Sequence, residues 1–161
     1  MSSETIERLL MLCRQHQVML RTAESCTAGA VAACIATVAG ASDVLDRGWI
    51  TYSNQAKMDE LAVSESCLKQ HGAVSQAVVE AMAQGGADEH ALCISISGIA
   101  GPGGGTVEKP VGTVWMAICW PTRSILHAEC YQFHGERAEI QQQAVDQAIT
   151  LLLYQLQHEL K

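Results

Sequence analysis

The chain has 161 residues, of which 48% are hydrophobic and 17% are charged, and its formal net charge is −7. This length and apolar content predict one domain, residues 1–161, with a sizeable core. The acidic balance and the lack of any lysine or arginine run exclude a typical nucleic-acid-binding surface, but they leave room for one local cationic pocket that holds a phosphate.

The sequence also argues against a membrane protein, a metalloprotein and a protein with a bound cofactor. No segment approaches the roughly 20 apolar residues of a membrane span, and Glu4, Glu7 and Arg8 interrupt any signal-like run. The seven cysteines lack metal-finger spacing and the six histidines are scattered, so we expect no metal and no other cofactor. This cysteine usage favours the reducing cytoplasm. Few charges and many aliphatic residues indicate a homo-oligomer, most simply a dimer.

Apolar periodicity predicts the secondary structure in chain order. The predicted elements are a helix over 3–15, a strand over 18–22, a helix from about 26 to 38, a strand over 48–53, short helices over 55–61 and 64–70, a helix capped by Ser75, strands over 91–97, 113–120 and 125–133, and a helix over 136–160.

This order predicts a three-layer α/β/α sandwich with a mixed, mostly parallel sheet of about five strands. If the first three strands are parallel, the segments that follow them meet at the carboxyl edge of the sheet, where such folds bind ligands. Those segments are residues 24–27, 52–57 and 98–105, where unusual polar residues and glycines of the chain are concentrated.

Ser25 stands where the first strand gives way to the second predicted helix. A hydroxyl there faces the unpaired N–H groups of a first helical turn, which carry partial positive charge. Ser25 is therefore either a helix N-cap or a nucleophile, with an oxyanion site formed by the N–H groups of Cys26 and Thr27.

Lys57 is the most economical base for such a nucleophile. If burial lowers its pKa from about 10.4, a neutral lysine can take the proton of Ser25. Tyr52 can hydrogen-bond that lysine or relay its proton. The alternatives are a solvated surface lysine and a half-buried strand tyrosine. Cys26 is either a rival nucleophile or an inert thiol.

The glycine-rich loop of residues 98–105 matches neither a phosphate loop nor Gly-x-Gly-x-x-Gly. Its N–H groups can still approach a phosphate closely. Arg137, near the start of the last helix, adds a cation where an anion is favoured. The alternatives are a flexible turn and an ion pair within the helix. The expected substrate-binding residues are Cys26, Thr27, Asn54, Gly98, Ile99, Ala100, Gly101 and Arg137.

Five segments together resemble the CinA C-terminal domain family, in the order of that family and over nearly the whole chain. They are Ala23–Thr27, Thr51–Lys57, His71–Ser75, Ser97–Pro102 and Lys109–Val114. The chain looks like a stand-alone member without the larger N-terminal domain of full CinA proteins.

The resemblance implies an amidase that hydrolyses nicotinamide mononucleotide to nicotinate mononucleotide and ammonia. It also implies a three-layer α/β/α fold and, usually, a homo-oligomer. Ser25 and Lys57 match the serine–lysine catalytic pair of the family, and Tyr52 matches a tyrosine of the same loop. The loop Ser97–Gly105 and Arg137 match segments that surround the substrate.

One departure from the family pattern is visible. The family usually has two glycines after Cys-Thr, and Ala28 stands in place of the first. We expect the backbone of a first helical turn to tolerate this methyl group, which would narrow the pocket floor. Two other functions stay open: a non-catalytic nucleotide-binding or regulatory module in which Ser25 only caps a helix, and a cysteine amidase that uses Cys26.

Overall fold

The structure of the protein, a computed structural model, describes residues 1–158. Its helices and strands are α1 (Ser3–His16), β1 (Met19–Glu24), α2 (Ala30–Ala36), β2 (Leu45–Ile50), α3 (Asn54–Leu61), α4 (Glu65–His71), α5 (Gln76–Gly86), β3 (Ala91–Gly98), β4 (Thr113–Trp120), β5 (Ile125–Gln132) and α6 (Arg137–His158). Short 3₁₀ turns cover Ala41–Asp43 and Pro121–Arg123.

The predicted helices and strands are present, and two of them begin three or more residues from the predicted position. β2 begins at Leu45 rather than Gly48. α2 begins at Ala30 rather than near Cys26, because residues 25–29 form turns. Residues 159 and 160 of the last predicted helix lie outside the described residues.

The five strands form one mixed sheet in the order β2-β1-β3-β4-β5. β1 is parallel to β2 and β3, and β4 is antiparallel to β3 and β5. Four strands therefore run one way and β4 runs the other, as predicted. Glu24 pairs with both Ile50 and Ile96, so the carboxyl ends of β1, β2 and β3 share one edge.

Helices cover both faces of the sheet and complete the predicted three layers. On one face the large side chains Leu92, Ile94 and Ile96 of β3 join a core with α1, α2 and α6. On the other face Cys93 packs with side chains of α3, α4 and α5. Strand alternation thus directs large residues to one layer and small ones to the other.

Small polar residues of β3 hold the second helical layer close to the sheet. The Ser95 hydroxyl donates to the Val79 carbonyl of α5 at 2.6 Å. The Ser97 hydroxyl donates to the Ala73 carbonyl, in the segment before α5, at 2.8 Å. Each bond satisfies a buried hydroxyl and fixes the height of this layer above the sheet.

The end of α3 approaches α5 just as closely. A Cβ atom at Gly85 would lie 2.0 Å from the carbonyl oxygen of Leu61. Only glycine allows this approach, which fixes the helix that carries Lys57.

Within residues 1–158, no helix combines the length and the apolar character that crossing a membrane requires.

We expect Gly85→Ala to lower the free energy of unfolding by about 2 kcal/mol, because the clash with the Leu61 backbone outweighs a gain in helix propensity of about 1 kcal/mol. Urea denaturation measures the difference. The matched control is Gln84→Ala, an exposed position in the same helix, which should stay within about 0.5 kcal/mol of wild type. A more stable Gly85→Ala variant would contradict the close approach.

Candidate active site

A cavity of about 270 Å³ opens at the shared carboxyl edge of the parallel strands. It brings together most of the residues predicted from the sequence, namely Ser25, Cys26, Tyr52, Lys57, Gly98, Ile99, Ala100, Gly101 and Arg137. Residues not singled out individually complete the lining: Ala73, Val74, Ser97, Gly103 and Gly104. The three segments expected to converge therefore do so.

Ser25 and Lys57 form a buried pair on the wall of this cavity. The Lys57 Nζ lies 3.2 Å from Ser25 Oγ and donates to the Thr51 carbonyl at 2.7 Å. Lys57 is 1% exposed and Ser25 is 8% exposed. Of the two readings of Lys57 left open by the sequence, the solvated surface lysine is wrong.

Burial lowers the pKa of Lys57 below that of an ordinary lysine. Both oxygen partners of Nζ are uncharged, so neither compensates a positive charge there. The neutral form of this amine can donate to the Thr51 carbonyl and accept the proton of the Ser25 hydroxyl. This is the protonation state that a general base requires.

Ser25 does not cap α2, and the expectation of a helix beginning beside it is wrong. The cap is the carboxylate of Glu24, which is 0% exposed. It accepts from the N–H groups of Gly29 at 3.0 Å, Val31 at 3.1 Å and Ala32 at 3.0 Å. The Ser25 hydroxyl is thereby left to Lys57.

Glu24 was missed in the sequence analysis, although a signal was available. Gly29 precedes the first residue of α2 and has no side chain that could cap it. A helix start without a Ser, Thr, Asp or Asn cap calls for another acceptor, and a nearby carboxylate is the natural one.

Two backbone donors stand unpaired beside the serine. Within the described structure, every main-chain N–H from Ser25 to Ala33 has a protein acceptor except those of Cys26 and Thr27. These are the two donors proposed from the sequence for an oxyanion. Neighbouring free N–H groups can stabilise negative charge on an oxygen atom.

Cys26 lines the cavity but is a poor nucleophile. Burial raises the pKa of its thiol to about 11, so the thiolate is scarce at neutral pH. Its carbonyl accepts from the Gln141 side chain at 2.8 Å, which ties the turn to α6. Of the two roles left open for Cys26, the environment favours the inert thiol.

Arg137 bridges the mouth of the cavity. It donates to the Gly101 carbonyl at 2.7 Å and to the Tyr52 hydroxyl at 2.7 Å. In the described structure the expected bond from Tyr52 to Lys57 is absent, and the hydroxyl of Tyr52 accepts from Arg137. Tyr52 is 55% exposed and forms part of the rim.

Two predicted substrate-binding residues are not among the cavity lining. Thr27 is buried, and its hydroxyl donates to Glu24 at 2.6 Å. Asn54 is exposed at the start of α3 and borders a separate depression with Met58. Among the described residues, no three His, Cys, Asp or Glu side chains are grouped so that they could hold a metal ion.

Ala28 departs from both expectations placed on it. It lies before α2, with a left-handed φ of 50°, so its methyl group is not in a helical turn. The residue is exposed and does not line the cavity, so it does not narrow the floor.

Comparisons with known proteins show which proteins this chain is similar to. The CinA C-terminal domain profile matches residues 2–156. A CinA-like protein from Syntrophobacter fumaroxidans is 46% identical over 86% of this chain, which spans only 33% of that protein. The nicotinamide-nucleotide amidohydrolase PncC of Enterobacter agglomerans is 50% identical over 76% of this chain and 75% of its own length.

A solved structure is similar over nearly the whole chain. The crystal structure of a CinA superfamily protein from Klebsiella pneumoniae has a TM-score of 0.89 and 35% identity, and the match covers 97% of this chain and 98% of that one.

We expect Ala28→Gly to raise the free energy of unfolding by about 0.5–1 kcal/mol, because glycine adopts the left-handed conformation without the strain of a Cβ atom. Catalytic constants should change by less than about twofold, since an exposed site that contacts no substrate acts on stability alone. Chemical denaturation and steady-state kinetics measure the two effects. A large change in KM would mean that the methyl group reaches the substrate after all.

Proposed function

This chain belongs to the CinA C-terminal domain family, and on that premise we propose that it is an amidohydrolase that converts nicotinamide mononucleotide to nicotinate mononucleotide and ammonia. The proposed unit is the single domain of residues 1–161. The name of its relative PncC supports the substrate. The observation that carries the proposal is the buried Ser25–Lys57 pair on the wall of a cavity.

In the proposed reaction, the neutral Lys57 amine takes the proton of Ser25 while the Ser25 oxygen attacks the carboxamide carbon. A serine hydroxyl needs such a base to become nucleophilic. The bond from Lys57 to the Thr51 carbonyl holds the amine in place, so that its lone pair stays directed to one partner.

The attack turns the carboxamide oxygen into an oxyanion. In this proposal it is bound by the free N–H of Cys26, which lines the cavity, and by that of the adjacent Thr27, whose side chain is turned away to Glu24. Removing one such donor typically costs about 3–4 kcal/mol of transition-state stabilisation. Lys57 then returns its proton to the leaving nitrogen, and ammonia departs. Water attacks the resulting ester while Lys57 takes one of its protons. Lys57 then gives that proton to the Ser25 oxygen as the ester bond breaks, so the acid is released and the serine and the neutral amine are restored.

The nucleotide phosphate fits the mouth of the cavity in this proposal. Arg137 has five N–H donors, and only some of them are used by Gly101 and Tyr52. The remaining donors, together with the N–H groups of the glycine-rich loop, form a small cationic surface on a chain that is acidic overall.

We further propose a homodimer in the cytoplasm. The exposed apolar side chain of Ile50 and that of Tyr52 on the cavity rim are suited to being covered by a second subunit. The seven cysteines are all free thiols, as is usual in a reducing compartment.

We expect Ser25→Ala to lower the rate of ammonia release by at least about 10³-fold, because the nucleophile is lost, while the affinity for the nucleotide changes little. Cys26→Ala is the matched control and should retain most of the activity. An ammonia assay and isothermal titration calorimetry give the two readouts. A dead Cys26→Ala variant beside an active Ser25→Ala variant would assign the nucleophile to the thiol.

The same assay separates the enzyme from a non-catalytic module. Wild-type protein that binds the nucleotide and releases no ammonia above the buffer background would be a binding or regulatory protein, and the amidohydrolase proposal would be rejected.

We expect kcat/KM to rise with pH through the lowered pKa of Lys57 and then to level off, because only the neutral amine accepts a proton. Since burial lowers that pKa, the plateau should begin at a lower pH than for an ordinary lysine. Lys57→Arg should lose at least about 10³-fold in activity, because arginine stays protonated. A flat profile between pH 5 and pH 10, roughly the range that spans the usual Glu and Lys values, argues against this base.

A further inference from the structure

We propose that Glu24 is a positioning residue for the reaction, which organises the turn after Ser25 so that the N–H groups of Cys26 and Thr27 stay free for the oxyanion. This inference rests on the proposed function for its catalytic consequence. Its structural part, the anchoring of the turn by one carboxylate, can be tested separately.

The carboxylate of Glu24 is fully buried and fully used. One oxygen accepts from the Thr27 hydroxyl at 2.6 Å and from the N–H groups of Gly29 and Val31. The other accepts from the N–H of Ala32. An ionised carboxylate has about four acceptor positions and no donor, so four donors satisfy it. The start of α2 supplies the positive end of a helix dipole for the charge.

This anchoring decides which backbone donors are consumed. The chain passes through left-handed conformations at Ala28 and Gly29 before α2 begins. The Glu24 carboxylate then takes N–H groups of the first helical turn, which would otherwise be the free donors of this region. The unpaired donors therefore lie next to the nucleophile rather than in the helix.

The site is also tied to the sheet at this point. The N–H of Ser25 donates to the Ile96 carbonyl at 3.0 Å, and the carbonyl of Glu24 accepts from the N–H of Thr51 at 2.8 Å. Thr51 in turn accepts from Lys57. The backbone of Glu24 thus bonds to Thr51, which holds Lys57, and its side chain bonds to the turn that follows Ser25.

A neutral amide cannot replace this carboxylate. In a Glu24→Gln variant the side-chain NH₂ would face either the N–H of Ala32 or the three donors on the other oxygen, so at least one donor would meet a donor. An unmade hydrogen bond of this kind is costly in a buried site. We expect the turn to shift and the two free N–H groups to move from their positions.

The first test uses a matched pair at Thr27. Thr27→Ser keeps the hydroxyl that donates to Glu24, and Thr27→Val removes it with almost no change of shape. We expect kcat of Thr27→Val to be about 10-fold lower than that of Thr27→Ser at nearly equal KM, because only Thr27→Val loses the bond to Glu24 and misplacement of reacting groups acts on the transition state. Equal kcat values for the two variants would overturn the proposal, as would a change confined to KM.

The second test compares Glu24→Gln with Ile35→Ala, a cavity-forming variant in the core of the same helix that leaves the cap intact. We expect Glu24→Gln to lose about 100-fold in kcat, well beyond the loss in Ile35→Ala, with both variants folded by circular dichroism. If kcat of Glu24→Gln lies within about threefold of kcat of Ile35→Ala, Glu24 has only a stability role and the proposal is overturned. If Glu24→Gln does not fold, the Thr27 pair decides.

Amide hydrogen exchange tests the anchoring by Glu24 without any measurement of catalytic activity. We expect faster exchange across residues 26–32 in Glu24→Gln and Thr27→Val than in Ile35→Ala, because only the first two loosen the anchor. Exchange no faster than in Ile35→Ala would overturn the anchoring. If wild-type protein releases no ammonia, the proposed function fails, and this measurement still decides on Glu24.

Discussion

The site depends on one constraint, a lysine amine buried against a serine hydroxyl. An isolated ammonium in the protein interior is strongly disfavoured, and a buried lysine responds by losing its proton. Lys57 has only uncharged oxygen partners, so its burial favours a neutral amine rather than an ion pair. In the proposed reaction, the free energy lost by burying this amine is what makes it available as a base.

The sheet topology brings the segments that carry Ser25 and Lys57 together. Because β1, β2 and β3 are parallel and in register at their ends, the segments that follow them meet over one edge. The small hydroxyl residues Ser95 and Ser97 let α5 and the segment before it lie close to the sheet. That segment forms a wall of the cavity, so the packing of the second layer sets the width of the site.

In the turn after β1, neighbouring residues make different hydrogen bonds. Glu24 satisfies the start of α2, the Ser25 hydroxyl is left to Lys57, and the N–H groups of the next two residues remain free. Arg137 crosses from α6 to Tyr52 and Gly101 and marks the polar mouth of the same cavity. Buried acceptors thus determine which donors are available to a substrate.

The sequence by itself determined the elements, the class of fold and the Ser25–Lys57 candidates, because apolar periodicity, glycine positions and motif order are local properties of the chain. Only the tertiary structure decided that Glu24 rather than Ser25 caps α2, that Tyr52 contacts Arg137 rather than Lys57, that Thr27 faces a carboxylate, and that Ala28 adopts a left-handed turn. Each of these depends on which groups lie close together once distant segments are packed. Buried donors and acceptors pair with the partners that are near in space, and spacing along the chain does not specify those partners.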